Sequence, residues 1–331
     1  MTEISKIPYF DGHCDTIWRC INTAPVADFG ATEEERRTYF SACSRLRENG
    51  GHVDLLRGQQ YAKRAQFFAL YDDSAALPEN TAWTKIREMH DWFLLQLSEN
   101  QDVVSLCKTG EEVDAAAACH KTAALLSIEG ADLLDCSLAH LETVASWGVR
   151  LINSVWNNAN ILSGSCAQNS DCGLSTYGRE FVAKMDDYGI FTDVSHISDT
   201  GFWDVVRCSK RPIVASHSNS RAPGLCGNRR NITDDMFRAI RDSGGVVGIN
   251  LYLDFVGGKT MDDLVAHIEH FLSLNGESTV AIGGDLDGCE ALAAGMTGVQ
   301  DVAKLYQALE EKGYPQSLLE DIFWNNWRRI L

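Results

Sequence analysis

A TIM-type (β/α)8 barrel is the fold this sequence predicts, on three observations. Short apolar runs rich in β-branched and aromatic residues recur eight times along 331 residues. Helical patterns lie between most of them, the alternation expected of a buried parallel sheet. Several of the runs end in a His, Asp or Glu, as the strands of such a barrel do at the mouth where catalysis takes place. A doubly wound open sheet is the alternative architecture.

The runs, in order, are Ile7–Asp15, Gln66–Tyr71, Ala123–Ile128, Arg150–Val155, Phe191–Val194, Ile213–Ser216, Val246–Asn250 and Thr279–Gly284. Between them, Leu174, Phe181, Val182 and Met185 recur at helical spacing inside Leu174–Tyr188. Thr260-x-x-Asp263 reads as a capping box ahead of the apolar face Leu264, Ile268, Phe271 and Leu272. Val302, Leu305, Tyr306 and Leu309 line another helix, closed by Gly313, and Leu318–Leu331 reads as a last one. Two early connections, Thr16–Ala65 and Asp72–Ala118, are too long for single βα loops. They are expected to be insertions with helices of their own, Trp83–Leu97 among them, that cover one end of the barrel. No Pro/Gly/Ser-rich linker divides the chain, so residues 1–331 read as one barrel domain.

The formal charge of −17 argues against nucleic acid and anionic membrane surfaces as partners. No run approaches the roughly 18–20 apolar residues of a membrane span, and Met1–Lys6 lacks the apolar core of a secretory signal. Eleven scattered cysteines without Cys-x-x-Cys read as free thiols of a reducing cytoplasm.

If Ile7–Asp15 is extended throughout, His13 and Asp15 point to one face and form half of a metal site. The other half must come from other strand ends. Glu129 follows the third run, His196 the fifth, His217 the sixth and Asp285 the eighth. Any one of these has an ordinary structural explanation: a hydrogen-bonded core histidine, a helix cap, turn chemistry at Asp285 and Asp287. Together they suit divalent ions, zinc above all. Three imidazoles and two of these carboxylates already exceed the need of one tetrahedral zinc and suit two ions that share a carboxylate and a water. Asp285 and Asp287 would share a face in an extended strand, so spacing alone does not separate them. The other histidines, His52, His90, His120, His140, His267 and His270, read as surface or structural groups.

These residues carry a resemblance to the membrane (renal) dipeptidases and their bacterial relatives in the amidohydrolase superfamily. It runs through Asp11-Gly12-His13-Cys14-Asp15, Ser127-Ile128-Glu129-Gly130, Gly148-Val149-Arg150, Gly173–Glu180, Asp193-Val194-Ser195-His196, Ala215-Ser216-His217-Ser218, Arg229-Arg230-Asn231 and Gly283–Gly288, in matching order and spacing. The resemblance implies a binuclear zinc dipeptidase. His13 and Asp15 would hold one ion, His196 and His217 the other, and Glu129 would bridge both. Asp285 would be the proton-shuttling acid/base. Arg230 would receive the substrate's terminal carboxylate, assisted by Tyr252. Trp156 stands where the renal enzyme has a substrate-contacting histidine, as in many bacterial members. The resemblance also implies a hydroxide bridging the metals as nucleophile, tolerance of a C-terminal D-residue and a homodimer. The competing functions are an amidohydrolase acting on N-acyl amino acids or lactones, and a barrel without activity.

Overall fold

The computed structural model describes residues 1–23, 34, 38, 40, 41 and 43–331. Nine parallel strands are present among them: β1 (Pro8–Asp11), β2 (Lys63–Leu70), β3 (Val104–Leu106), β4 (Thr122–Glu129), β5 (Val149–Asn153), β6 (Phe191–Asp193), β7 (Val214–Ala215), β8 (Val246–Ile249) and β9 (Val280–Ile282). Eight close a barrel in the order β1, β2, β4, β5, β6, β7, β8, β9, with Asp11 of β1 paired to Ile282 of β9. This is the (β/α)8 barrel the sequence predicts, and each of the eight predicted runs overlaps one of its strands.

Side-chain alternation divides the core in two. All eight barrel strands contribute to a cluster inside the cylinder: Phe10, Ala65, Phe67, Ala123, Leu125, Leu151, Phe191, Val214, Val246 and Ala281. Alternate positions such as Phe68, Leu70, Leu126, Ile128, Val247 and Ile249 join the larger cluster between the strands and the surrounding helices. Trp324 and Trp327, from the end of the chain, enter the inner cluster and plug the amino-terminal end of the barrel.

The ends of the strands depart from expectation. β1 stops at Asp11 rather than Asp15, because the Asp11 side chain turns back and accepts from the His13 backbone N–H at 3.1 Å. Asp193 does the same for Ser195 at 3.0 Å, and Asn250 for Tyr252 at 2.7 Å. Each turn replaces the next rung of the sheet with a side-chain hydrogen bond, so β1, β6 and β8 end where their polar residues begin.

The first insertion carries the helices Thr16–Ile21 and Leu55–Gly58, and part of it lies outside the described residues. The second carries Ala82–Glu99 and Gly110–Ala118 with β3 between them. β3 pairs with the first half of β4, whose second half pairs with β5, so this insertion braces the barrel wall near its amino-terminal end. The capping box of Thr260 and Asp263 opens the helix Met261–Ser273. The last predicted helix is Gln316–Glu320, a π turn over Asp321–Asn325, and Asn326–Ile330.

Candidate metal centre

The polar residues that terminate the strands meet at the carboxyl-terminal mouth. His13 lies two residues beyond β1, Glu129 is the last residue of β4, His196 follows β6, His217 follows β7 and Asp285 follows β9. All are at most 7% exposed, as is Asp15. Three interlocking sets, His13–Asp15–Glu129, Glu129–His196–His217 and His13–His217–Asp285, each bring their ligand atoms within 4.8 Å of one another.

Glu129 stands at the centre. Its Oε2 lies 3.6 Å from His13 Nε2, and its Oε1 lies 2.8 Å from His196 Nε2 and 3.3 Å from His217 Nε2. Asp15 joins the His13 side, with Oδ2 at 3.3 Å from His13 Nε2. The carboxylate thus faces one set of donors with each oxygen. Neighbours fix the rings: Asn157 Oδ1 lies 3.0 Å from His196 Nδ1, and Ser216 Oγ lies 2.6 Å from His217 Nδ1. Both rings therefore present Nε2 to the centre, the arrangement typical of metal-ligating histidines.

The donor set fits divalent cations on observations of the chain itself. Asp15 Oδ1 is buried without a hydrogen-bond partner among the described residues. His196 Nε2 and His217 Nε2 face each other at 3.2 Å, a contact that two lone pairs do not favour. Burial pushes the Glu129 carboxyl up to about 7 and raises that of Asp285. His13 rises despite its burial, because the charges of Glu129 and Asp15 favour its proton. His196 and His217 fall well below the usual imidazole range through burial and then the nearby positive groups Arg230 and His13, which keeps them neutral. Two neutral imidazoles on one side and buried carboxylates beside His13 on the other form a pocket in want of positive charge.

Asp285 and Asp287 separate clearly. Asp287 is taken up by the insertion: Thr16 Oγ1 donates to it at 2.7 Å, and the backbone N–H groups of His52 and Val53 at 2.6 and 3.3 Å. His52 Nδ1 in turn accepts from the Asp287 N–H at 3.0 Å. Asp285 instead turns toward the metal ligands, with Oδ1 at 4.0 Å from His13 Nε2, while Asn250 Nδ2 donates to its Oδ2 at 2.9 Å. Neither residue is in a strand, and both have φ in the left-handed region, 55° and 68°, so the alternation expected of them does not apply. His196 shares that strained backbone, with φ of 70°. Gly288 closes the turn beneath: a β-carbon there would collide with the carboxylates of both Asp15 and Asp285.

Beside the ligands opens a cleft of about 320 Å³, lined by Tyr71, Trp156, Asn157, Tyr252, Phe255 and Glu290 as well as Asp15, Glu129, His196 and Asp285. Trp156 packs on Tyr71, centroids 5.0 Å apart, and lies 6.1 Å from the His196 ring. Arg230 is buried with its guanidinium 5.5 Å from the Phe255 ring. Its Nη1 donates to Ser218 Oγ at 3.3 Å, and its Nε and Nη2 have no partner among the described residues. Tyr252 lines the cleft, and its hydroxyl donates to Asp254 at 3.1 Å.

Sequence reasoning passed over Asn250, which orients Asp285, and Asn157 and Ser216, which orient the histidines. It also passed over Tyr71. Only Ser216 stands beside its ligand in the sequence; Asn157 and Asn250 lie 39 and 35 positions from the residues they orient, so no local signal marks them.

A family model for the membrane dipeptidases (peptidase family M19) matches residues 3–331. An uncharacterized protein of Klebsiella pneumoniae is 34% identical over 239 residues, 68% of this chain and 87% of that protein. An uncharacterized dipeptidase of Schizosaccharomyces pombe is 32% identical over 288 residues, 78% of this chain and 65% of that one. Among solved structures, a metallopeptidase from Rhodobacter sphaeroides liganded with a phosphinate mimic of the dipeptide L-Ala-D-Ala superposes with a TM-score of 0.84 at 26% identity over 98% of both chains. A dipeptidase AC structure of the same family does so at 0.84 and 28%, again over 98% of both chains. With the match running nearly from end to end and a cluster of metal-type ligands at the barrel mouth, the chain belongs to the membrane dipeptidase family, peptidase family M19, and is an enzyme of that metallo-dipeptidase class.

Proposed function

We propose that residues 1–331 act as one domain that hydrolyses dipeptides with two zinc ions, one held by His13 and Asp15, the other by His196 and His217, and both by Glu129. The observation that carries this is the division of Glu129, Oε2 toward His13 and Oε1 toward His196 and His217. Two such cations supply an acidified water and an electrophile for the scissile carbonyl.

The remaining steps belong to side chains. Asn250 holds one oxygen of Asp285 and leaves the other free over the ligands. Asp285 takes the proton of the attacking water and returns it to the leaving amine. Its raised affinity for a proton, a product of burial, suits the return step. Arg230 receives the terminal carboxylate through its two unpartnered donors. Trp156 and Tyr71 wall the cleft and limit its depth, which favours two-residue substrates. Acceptance of a D-residue at the C-terminal position is supported by the ligand of the Rhodobacter structure. A reducing cytoplasmic setting is supported by scattered thiols such as Cys14, Cys20, Cys107 and Cys289, none of them in a disulfide. No described helix is long and apolar enough to cross a membrane. A homodimer is the expected assembly by family resemblance.

Metal analysis of the purified protein with a panel of L,L and L,D dipeptides and N-acyl amino acids tests the reading. Two zinc ions per chain are expected, with dipeptide hydrolysis lost on chelation and restored by zinc. Full activity after complete metal removal would refute the mechanism. Hydrolysis of acyl amino acids alone would move the substrate to the competing class.

A further inference from the structure

We infer that Trp327 is a positioning residue for the metal centre, acting from inside the barrel on the β1–β9 junction that carries His13 and Asp285. The inference rests on the proposed role of His13 as a metal ligand.

The junction is held from two sides. On the mouth side, Asp11 Oδ1 accepts the N–H groups of His13 at 3.1 Å and Gly284 at 2.7 Å, so one carboxylate ties the end of β1 to the end of β9. Inside the barrel, the Trp327 Nε1–H donates to the Ile282 carbonyl at 2.7 Å, and the same carbonyl accepts the Gly12 N–H at 2.9 Å. Gly12 directly precedes His13, and Ile282 stands three residues before Asp285. The indole also lies against the Gly12 backbone, where a β-carbon would fall 2.7 Å from Cε2 and 2.9 Å from Cη2. The ring is fully buried and packs on Phe10 and Phe67, with centroids at 6.2 and 5.6 Å.

Local structure delivers the indole there. The π turn over Asp321–Asn325 adds a residue to the helical turn, and Trp324 and Trp327 on either side of its end both reach the barrel interior. Asn326 anchors the same helix, its Nδ2 donating to the carbonyls of Glu277 and Val280 at 2.8 and 2.7 Å, at the entry to β9. Filling the interior would need only an apolar ring. An indole whose N–H meets a carbonyl already bonded to Gly12, and whose edge excludes any side chain at Gly12, sets where the backbone of His13 lies. Metal affinity depends on such placement of ligands by their supports.

The test compares wild type, Trp327→Phe, Gly12→Ala and the double variant by zinc titration against a competing chelator, by kcat and KM on a dipeptide, and by thermal melting. Trp327→Phe removes the N–H and the outer ring atoms. It is expected to weaken one of the two zinc sites by about 10-fold and to lower kcat while KM stays within about twofold. Gly12→Ala is expected to weaken the same site further. The double variant is expected to recover part of that loss, because the smaller ring leaves room for the new methyl group. A Trp327→Phe protein that melts earlier yet binds both zinc ions and turns over like wild type would overturn the inference, whether or not Gly12→Ala folds. A double variant no better than a folded Gly12→Ala would do so as well. If the wild type itself works without metal, the two-zinc reading falls; if it holds two ions and Trp327→Phe holds them equally, only the role of Trp327 falls.

Discussion

The two ends of the barrel are buried alike and filled with opposite chemistry. At the amino-terminal end Phe10, Phe67, Phe191 and Trp324 close the cylinder, with cations set over the rings: Lys63 Nζ lies 4.3 Å from the Trp324 ring centre, and the guanidinium carbons of Arg150 and Arg211 lie 5.9 and 4.4 Å from that of Phe191. At the mouth stand His13, Asp15, Glu129, His196, His217 and Asp285, with Arg230 beside them. The floor is stable by burial alone, since each aromatic ring removed from water contributes favourably and asks for no partner. The mouth gathers charge in a region of low dielectric, leaves Asp15 Oδ1 and two Arg230 nitrogens without partners among the described residues, and holds His196 and Asp285 at positive φ. On the proposed function, those costs are offset when cations and substrate arrive. Stability is concentrated at one end so that the other can remain incomplete.

That contrast can be broken or sharpened by substitution. Glu129→Gln should have the largest effect, losing bound metal and nearly all turnover; unchanged zinc content and rate would remove the bridge from the mechanism. Asp285→Asn should keep both metals and lose about 10²- to 10⁴-fold in kcat, measured on metal-replete protein. Its neighbour sharpens the point. Asp287→Asn should lower stability by about 1–3 kcal/mol, read by denaturant unfolding, with kcat of the folded protein little changed, because that carboxylate serves Thr16, His52 and Val53. At the floor, Phe191→Ala should cost about 3–5 kcal/mol of stability while zinc content and kcat of the folded fraction hold. A floor variant that lost metal in proportion to stability would erase the distinction between the ends. Arg230→Ala should raise KM for dipeptides by roughly 10- to 100-fold, the loss of a charge-assisted pair of about 1.5–3 kcal/mol; an unchanged KM would leave the carboxylate without its dock.

The barrel was legible because its strands are apolar on both faces and lie between amphipathic helices, a pattern that needs no knowledge of contacts. His13, Glu129, His196 and His217 were legible because each follows such a strand. Less could be read where one residue answers to a distant one. β3 has three residues with a serine in the middle, too few for a period, and exists because β4 offers it an edge. β1 ends four residues short of the predicted run, because Asp11 is not one more strand residue but the acceptor that ends the strand. Asp285 and Asp287 are alike in the sequence and differ only in what the Thr16–Ala65 insertion brings to them. Tyr252, expected to assist Arg230 at the substrate carboxylate, lines the cleft, and its hydroxyl donates to Asp254.

Composition and period by themselves determined the class of fold, the order of its strands along the chain and the kinds of ligand that close them, since these depend on the local balance of apolar burial and backbone pairing. Which carboxylate faces the ligands, which oxygen of Glu129 meets which histidine, and which indole comes to lie beside Gly12 were decided only by closure of the cylinder. Closure brings residues more than two hundred positions apart to within hydrogen-bonding distance, and at that range the strength of an interaction depends on angle and separation, which a linear order of residues does not contain.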